Sequence, residues 1–326
     1  MGRASTRRRV VRVTVGGPAT TRADTVVGEE PLEIRVHGRS LVVTMRTPGD
    51  DMDLAVGFLV GEGLIAAGAD VLSMRYCAGA VQAVADADLD SPQDVDDDLD
   101  DDLDDDADGD ADGGASGVSG GGRRGQQTYN VLDLVLDPSV PEPDLAAAAR
   151  TFYTTSSCGL CGKASIDAIR MRARHRVADD PLRVDAPTLA GLPVALRRAQ
   201  RLFASTGGLH AAALAGADGR VEFAREDVGR HNAVDKVVGA AARAGLLPLR
   251  GRLLLVSGRA SFELMQKALL AGIPMLAAVS APSALAVDLA AESGMTLVGF
   301  LRGDSMNVYT GAHRIVQPPA DGHRLP

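Results

Sequence analysis

The sharpest chemical signal in the chain is a pair of cysteines, Cys158 and Cys161, in Ser156-Ser157-Cys158-Gly159-Leu160-Cys161-Gly162-Lys163. Residues 164–170 have helical spacing, which predicts that both thiols lie at or just before a helix N-terminus. Unpaired N–H groups and the helix dipole favour a thiolate there, and Lys163 adds a positive charge. Such a thiolate suits sulfur transfer and thiol exchange. The same spacing also serves redox dithiols and half-sites for zinc, so the motif alone leaves three chemistries open. Catalytic zinc is disfavoured. A zinc deaminase needs Pro directly before its C-x-x-C and Glu two residues after its other ligand, whereas here Ser157 precedes Cys158 and Ala212 stands two residues after His210. No metal is expected.

A second cluster, Arg225-Glu226-Asp227-Val228-Gly229-Arg230-His231-Asn232-Ala233-Val234-Asp235-Lys236, places seven ionisable residues in twelve positions. A helix start explains Glu226 and Asp227. Arg230 and His231 crowd the same turn and read instead as a ligand or catalytic surface. Three short turns complete the candidates: Ser257-Gly258-Arg259, Ser280-Ala281-Pro282-Ser283 and Arg302-Gly303-Asp304-Ser305. Small residues let backbone N–H groups approach a phosphate, and Arg259 and Arg302 are suited to bidentate contact with an anion. Only three of the 34 basic residues are lysines: Lys163, Lys236 and Lys267. Each falls in or beside one of these segments, which suggests that a compact ammonium is needed there.

Positioning these residues requires parallel strands. The spacing predicts a strand at 252–256, a helix at 261–271, a strand at 274–279, a helix at 283–292 and a strand at 296–300. This β-α-β-α-β order implies right-handed crossovers, with all three turns at the carboxyl ends of the strands, where such sheets bind ligands. Upstream, 31–36 and 40–46 alternate apolar and polar residues around His37-Gly38, as a hairpin does. Thr47-Pro48-Gly49-Asp50 is a turn and 51–65 a helix. Strands are expected at 71–76 and 130–136, pairing across an insertion, because loop closure grows costlier only slowly with length. The domain reading is a disordered basic tail at 1–24, a small α+β domain at 25–144, an α/β domain at 145–316, and a disordered tail at 317–326.

The net charge of −9 conceals two extremes. Sixteen aspartates lie between residues 86 and 112; without them the remainder carries +7. Setting aside Arg3, Arg7, Arg8, Arg9 and Arg12 of the tail leaves +2, too little for a nucleic-acid footprint. Residues 86–125 are too polar to bury a core and are expected to be a disordered, dispensable insertion. The tail lacks the apolar run of a signal peptide. The uncharged stretch Ala268–Val287 is broken by Gly272, Pro274 and Pro282, so no membrane span is expected. With three cysteines and no disulfide framework, the chain reads as cytoplasmic.

Six segments taken together resemble the FdhD family of formate dehydrogenase accessory sulfurtransferases. They are MRTPGDD (45–51), SSCGLCG (156–162), GGLHAA (207–212), REDVGRHNAVDK (225–236), SGRASFELMQK (257–267) and FLRGDSMNVYT (300–310). The resemblance runs from about Glu30 to Gly311, the insertion excepted. It implies a cytidine-deaminase-like three-layer α/β domain behind a smaller α+β domain. It also implies a persulfide on Cys158, with Cys161 assisting or relaying sulfur. A cysteine desulfurase would supply the sulfur. The acceptor would be molybdenum bis-molybdopterin guanine dinucleotide, destined for the formate dehydrogenase apoenzyme, with the carrier acting as a homodimer. The family's cofactor segment maps onto Phe300, Leu301, Arg302, Gly303, Asp304 and Ser305, to which Ser257, Gly258, Arg259, Arg230 and His231 are added as candidates. Two other classes remain open: a thiol-disulfide oxidoreductase, which would need Cys161 but no pterin, and a non-catalytic cofactor chaperone, which would tolerate loss of both thiols.

Overall fold

The structure is a computed structural model that describes residues 3–77, 130–141 and 162–317, with the side chains of 162–165 and 168 excepted. Cys158, Cys161, the Asp-rich insertion and residues 318–326 lie outside the described set.

The segment expected to be a disordered basic tail is instead a two-stranded ribbon. β1 (Ser5–Arg12) pairs antiparallel with β2 (Thr20–Val27), from Ser5 opposite Val27 to Arg12 opposite Thr20. Its Val and Thr content outweighs the arginines, because β-branched residues favour a pleated backbone whatever their neighbours' charge. The hairpin of β3 (Glu30–Val36) and β4 (Arg39–Arg46) forms as expected. α1 (Asp51–Gly61) follows, and β5 (Val71–Tyr76) and β6 (Val131–Leu136) pair across the insertion. The strand order is β4-β3-β6-β5, with β3 and β6 parallel. Leu32, Ile34 and Val36, with Leu132, Leu134 and Leu136, recur at every second residue and are buried in the same core as Leu54 and Leu59 of α1.

Downstream come α2 (Gly162–Arg172), β7 (Val184–Asp185), α3 (Ala186–Ala199), α4 (Arg201–Thr206), β8 (His210–Gly216) and β9 (Val221–Asp227). They are followed by α5 (Arg230–Arg243), β10 (Arg252–Val256), α6 (Phe262–Leu270), β11 (Met275–Ala278) and α7 (Ala284–Ser293). β12 (Thr296–Arg302), β13 (Ser305–Thr310) and β14 (Ile315–Val316) close the chain. Six strands form one mixed sheet in the order β13-β12-β11-β10-β8-β9. β10, β11 and β12 are parallel, as the β-α-β-α-β pattern requires, whereas β8 runs antiparallel to β10. Alternate residues of these strands go to opposite faces. Leu253, Leu255, Met275 and Ala277 meet Leu189, Leu192 and Leu196 of α3. Leu254, Val256, Leu276 and Ala278 belong to the core that holds α5, α6 and α7. Apolar runs buried on both faces are what a parallel sheet between helix layers demands.

The expected boundary near residue 144 does not separate two cores. Residues of β3, β6 and α1 share one continuous core with α5, α6 and β10, and the described residues form one compact unit. The reason is a seam without side chains. A Cβ on Gly57 of α1 would lie 1.8 Å from Asp235 O of α5, and one on Gly239 of α5 would lie 1.8 Å from Asp53 O of α1. The two backbones are in contact, and any side chain larger than hydrogen would push them apart. Ala268–Val287 divides among α6, β11 and α7, and no helix among the described residues is long and apolar enough to cross a membrane.

Gly57→Ala and Gly239→Ala are therefore each expected to cost about 3 kcal/mol or more, since the clash is with backbone that cannot rotate away. In thermal unfolding this lowers Tm by on the order of 10 °C. Gly191 of α3, with open space around its Cβ position, is the control. Gly191→Ala should be neutral or slightly stabilising, and equal losses at all three positions would disprove the seam.

Candidate functional site

The carboxyl ends of β10, β11 and β12 gather the expected turns on one edge. Val279 N–H donates to Val256 O, Ser280 N–H to Gly258 O at 3.3 Å, and Phe300 N–H to Ser280 O at 3.1 Å, so the three turns are bonded in a row. Ser257 is partly committed to the fold: its Oγ accepts Ala211 N–H and its own N–H donates to Ala211 O, both at 2.9 Å. Arg259 is exposed. Arg302 is exposed, donates Nε–H to Val279 O at 2.9 Å and lies 5.8 Å from the Phe300 ring. Phe300 adopts a left-handed φ of 51° and is 38% exposed. An aromatic residue in that region is an outlier of the kind that clusters at functional sites. Gly303, Asp304 and Ser305 form the exposed β12–β13 turn. Leu301 does not belong with them. It is fully buried in the core against α3, together with Val298. The left-handed Phe300 and the register shift between Gly299 and Arg302 interrupt the alternation of β12 and turn it there.

The antiparallel strand β8 adds His210 to this edge, and the start of α5 adds Arg230 and His231. A Cβ on Gly258 would lie 3.3 Å from His210 Nδ1. Burial, then Arg230 and His231, lower the His210 pKa. Nε of Arg230 is buried without a partner among the described residues. His231 Nε2 lies 3.4 Å from Ser261 Oγ and 3.8 Å from Glu263 Oε2. His231 does most to hold the Glu263 carboxyl down at about 2, helped by Ser261 and Glu263's own N–H at the start of α6.

The rest of the 225–236 cluster turns inward and is structural. Asp227 is fully buried. It accepts Gly229 N–H at 2.8 Å, Asn232 Nδ2–H at 3.1 Å and Thr47 N–H at 3.1 Å, and pairs with Lys236 Nζ at 2.7 Å. Lys236 also donates to Thr47 O at 2.9 Å, and Asn232 Nδ2 to Met45 O at 2.8 Å. These bonds latch the 45–51 segment to the start of α5. Lys267 likewise pairs with Asp235 at 2.9 Å and Glu62 at 3.5 Å; burial lifts Asp235 to about 6 against the pull of Lys267.

The sequence profile of the FdhD/NarQ family matches residues 27–316. The chain belongs to the FdhD/NarQ family. Two Streptomyces proteins named sulfur carrier protein FdhD are similar along nearly their whole length. The one from Streptomyces avermitilis is 54% identical over 97% of each chain, and the one from Streptomyces coelicolor 53% over 99% of each. A protein of that name from Mycobacterium tuberculosis is 52% identical over 97% of this chain and all of its own. A crystal structure from Desulfotalea psychrophila, described as a formate dehydrogenase accessory protein, has a TM-score of 0.64 at 19% identity. It covers 96% of this chain and all of that one, and shares the fold.

In this FdhD/NarQ chain the structure brings Ser257, Gly258, Arg259, Arg230, His231, Phe300, Arg302, Gly303, Asp304 and Ser305 to one edge, and excludes Leu301. Sequence reasoning passed over His210, Ser261 and Glu263 as site residues. His210 lies two residues after Gly208 and opens an apolar strand, which is a position signal; Ser261 and Glu263 have only their place at a helix start.

The Glu263 carboxyl sets a pH test. Its pKa falls from the usual 4.5 to about 2 on folding. The resulting stability is whole above pH 4.5 and is lost as pH falls from there through about 2. Wild type should thus be more stable than Glu263→Gln near neutrality, with the gap closing through that acid window. An NMR titration should find the wild-type carboxyl well below 4.5, and an ordinary midpoint in the folded protein would refute the His231–Glu263 arrangement.

Proposed function

We propose that this chain is a sulfur carrier serving formate dehydrogenase, loading sulfur on Cys158 and delivering it to a molybdenum–pterin cofactor held at the strand-end edge. The observation that carries the reading is the near full-length match to relatives at 52–54% identity that are named sulfur carrier proteins. In loading, the Cys158 thiolate attacks the outer sulfur of a cysteine desulfurase persulfide. The desulfurase thiolate leaves, and Cys158 becomes the persulfide. In release, the Cys161 thiolate attacks Cys158 Sγ and breaks the S–S bond. The outer sulfur departs as hydrosulfide, and a Cys158–Cys161 disulfide remains for a cellular thiol to reduce. The cytoplasm supplies such thiols.

The acceptor, molybdenum bis-molybdopterin guanine dinucleotide, is a substrate here, and the edge fits an anion of that kind. Arg259, Arg302 and Arg230 offer guanidinium groups to its diphosphates. Gly258 and Gly303 leave room for close approach, and the Phe300 ring gives a face for a planar base. The three-layer part of the fold supports a cytidine-deaminase-like reading of this domain, and the carrier is taken to act as a homodimer that hands its cargo to the formate dehydrogenase apoenzyme.

Mass spectrometry after incubation with a cysteine desulfurase and cysteine is the direct test. Wild type should gain one sulfur mass at the Cys158 peptide, removable by reductant, and Cys158→Ala should not. A Cys158→Ala protein that still matures formate dehydrogenase normally would sink the carrier reading in favour of a chaperone. For the acceptor edge, calorimetric titration with guanosine diphosphate should show Arg259→Ala or Arg302→Ala binding about ten- to hundredfold more weakly, the loss of one charge-assisted contact. Persulfide loading should be unchanged in both. Unchanged affinity in both would move the cofactor elsewhere.

A further inference from the structure

The β1–β2 ribbon takes no part in the edge just described. Its base is closed by Gly28 N–H donating to Ala4 O at 2.8 Å and meets the body where the Val27 side chain lies against Gly208. Toward its tip, Val11, Val13 and Val15 recur at every second residue and are 65%, 72% and 101% exposed. A tight turn, with Gly17 N–H donating to Thr14 O at 2.9 Å and Gly16 at a φ of 77°, holds Val15 at the outer end. Residues 13–21 contain no charge, while Arg7, Arg8, Arg9, Arg12 and Arg22 stand behind them. Asp24 is the ribbon's one acid and lies 3.8 Å from Arg22. No carboxylate among the described residues pairs with Arg7, Arg8, Arg9 or Arg12.

We propose that this ribbon docks on an anionic lipid surface, its valine tip entering the headgroup layer and its arginine collar meeting the lipid phosphates. The dimensions agree. At about 3.3 Å per residue, Val15 reaches at most roughly 10 Å beyond Arg12, which matches the depth of roughly 5–10 Å at which peripheral elements bury apolar side chains. The order of residues selects lipid over other anions. A nucleic acid or an acidic protein would be gripped by charge at the tip, whereas here the tip is apolar and charge begins behind it. Leaving three exposed valines in water is unfavourable, and a headgroup layer removes that exposure while satisfying the arginines. Such contact is peripheral and needs no membrane-crossing helix.

The test uses the full chain and vesicles of phosphatidylcholine, with or without phosphatidylglycerol. The chain should sediment with the mixed vesicles, not with phosphatidylcholine alone, and salt should weaken the binding. Arg7→Ala, Arg8→Ala and Arg9→Ala should each weaken it roughly fivefold. The Val13→Ser, Val15→Ser pair should weaken it at least about tenfold. All should leave Tm and sulfur loading unchanged, since the tip lies off the core. The native chain has no tryptophan, so Val15→Trp gives an isolated probe whose emission should shift to the blue on mixed vesicles. Absence of binding would overturn the proposal. So would binding that depends on the arginines but not the valines, without a spectral shift, which would mark a charge-only surface for an acidic protein or nucleic acid.

Discussion

The way the start of α5 is brought to the candidate edge depends on the distance between two helix backbones. Where α1 crosses α5, Gly57 and Gly239 leave nothing between the main chains, and each helix lies against the other's carbonyl oxygens. Contact this close buries the flanking residues, including carboxylates that elsewhere would face water. Asp53 is then held by Arg225 and Arg243, Asp235 by Lys267, and Asp227 by Lys236. The seam therefore comes first and the buried ion pairs answer to it. Through Asp227 and Asn232 it also fixes the first turn of α5, from which Arg230 and His231 reach the ligand edge.

Buried pairs of this kind are weak evidence for stability. Removing one partner typically costs about 3–5 kcal/mol, yet apolar replacements of both can be neutral or better. What they supply here is register. Lys236 is 1% exposed and reaches Asp227, Thr47 O and Glu226 O from a single nitrogen. A planar guanidinium cannot converge on three acceptors so closely grouped, which explains lysine in a chain that otherwise uses arginine. Where the acceptors are spread out, arginine is chosen. Arg46, also 1% exposed, bridges both Asp51 oxygens at 3.0 Å and Asn130 at 3.2 Å. Arg314, wholly buried, holds the carbonyls of Val177, Ala178 and Gly294.

Much of this was legible because period and turn chemistry are local. β5 and β10 begin and end where alternation and apolar runs put them, and the parallel order of β10, β11 and β12 follows from their intervening helices. Three features were not legible, each for a physical reason. The ribbon was hidden because arginines read as a solvated tail, while its β-branched residues were the stronger influence. The inward turn of Asp227, Asp235 and Lys236 depends on the glycine seam, a contact between residues about 180 positions apart, and charge in a sequence is ordinarily a sign of surface. Leu301 was grouped with its neighbours by segment, although the irregularity at Phe300, which no local pattern announces, turns its side chain into the core against α3.

That irregularity also shapes the electrostatics of the edge. Along β12 the exposed positions are Phe300 and Arg302, while Leu301 between them anchors the strand, so the ring and the guanidinium come to the same side. β8, inserted antiparallel, presents His210 at its first residue, where burial and Arg230 keep the imidazole pKa below its usual value. His210 therefore adds a hydrogen-bonding group near Gly258 without adding charge at neutral pH. Glu263 stays ionised down to about 2, and guanidinium groups do not titrate in this range. The positive charge at the strand ends thus comes from Arg230, Arg259 and Arg302. An anion bound at this edge would meet guanidinium groups whose places are set by strand pairing and by the first turn of α5.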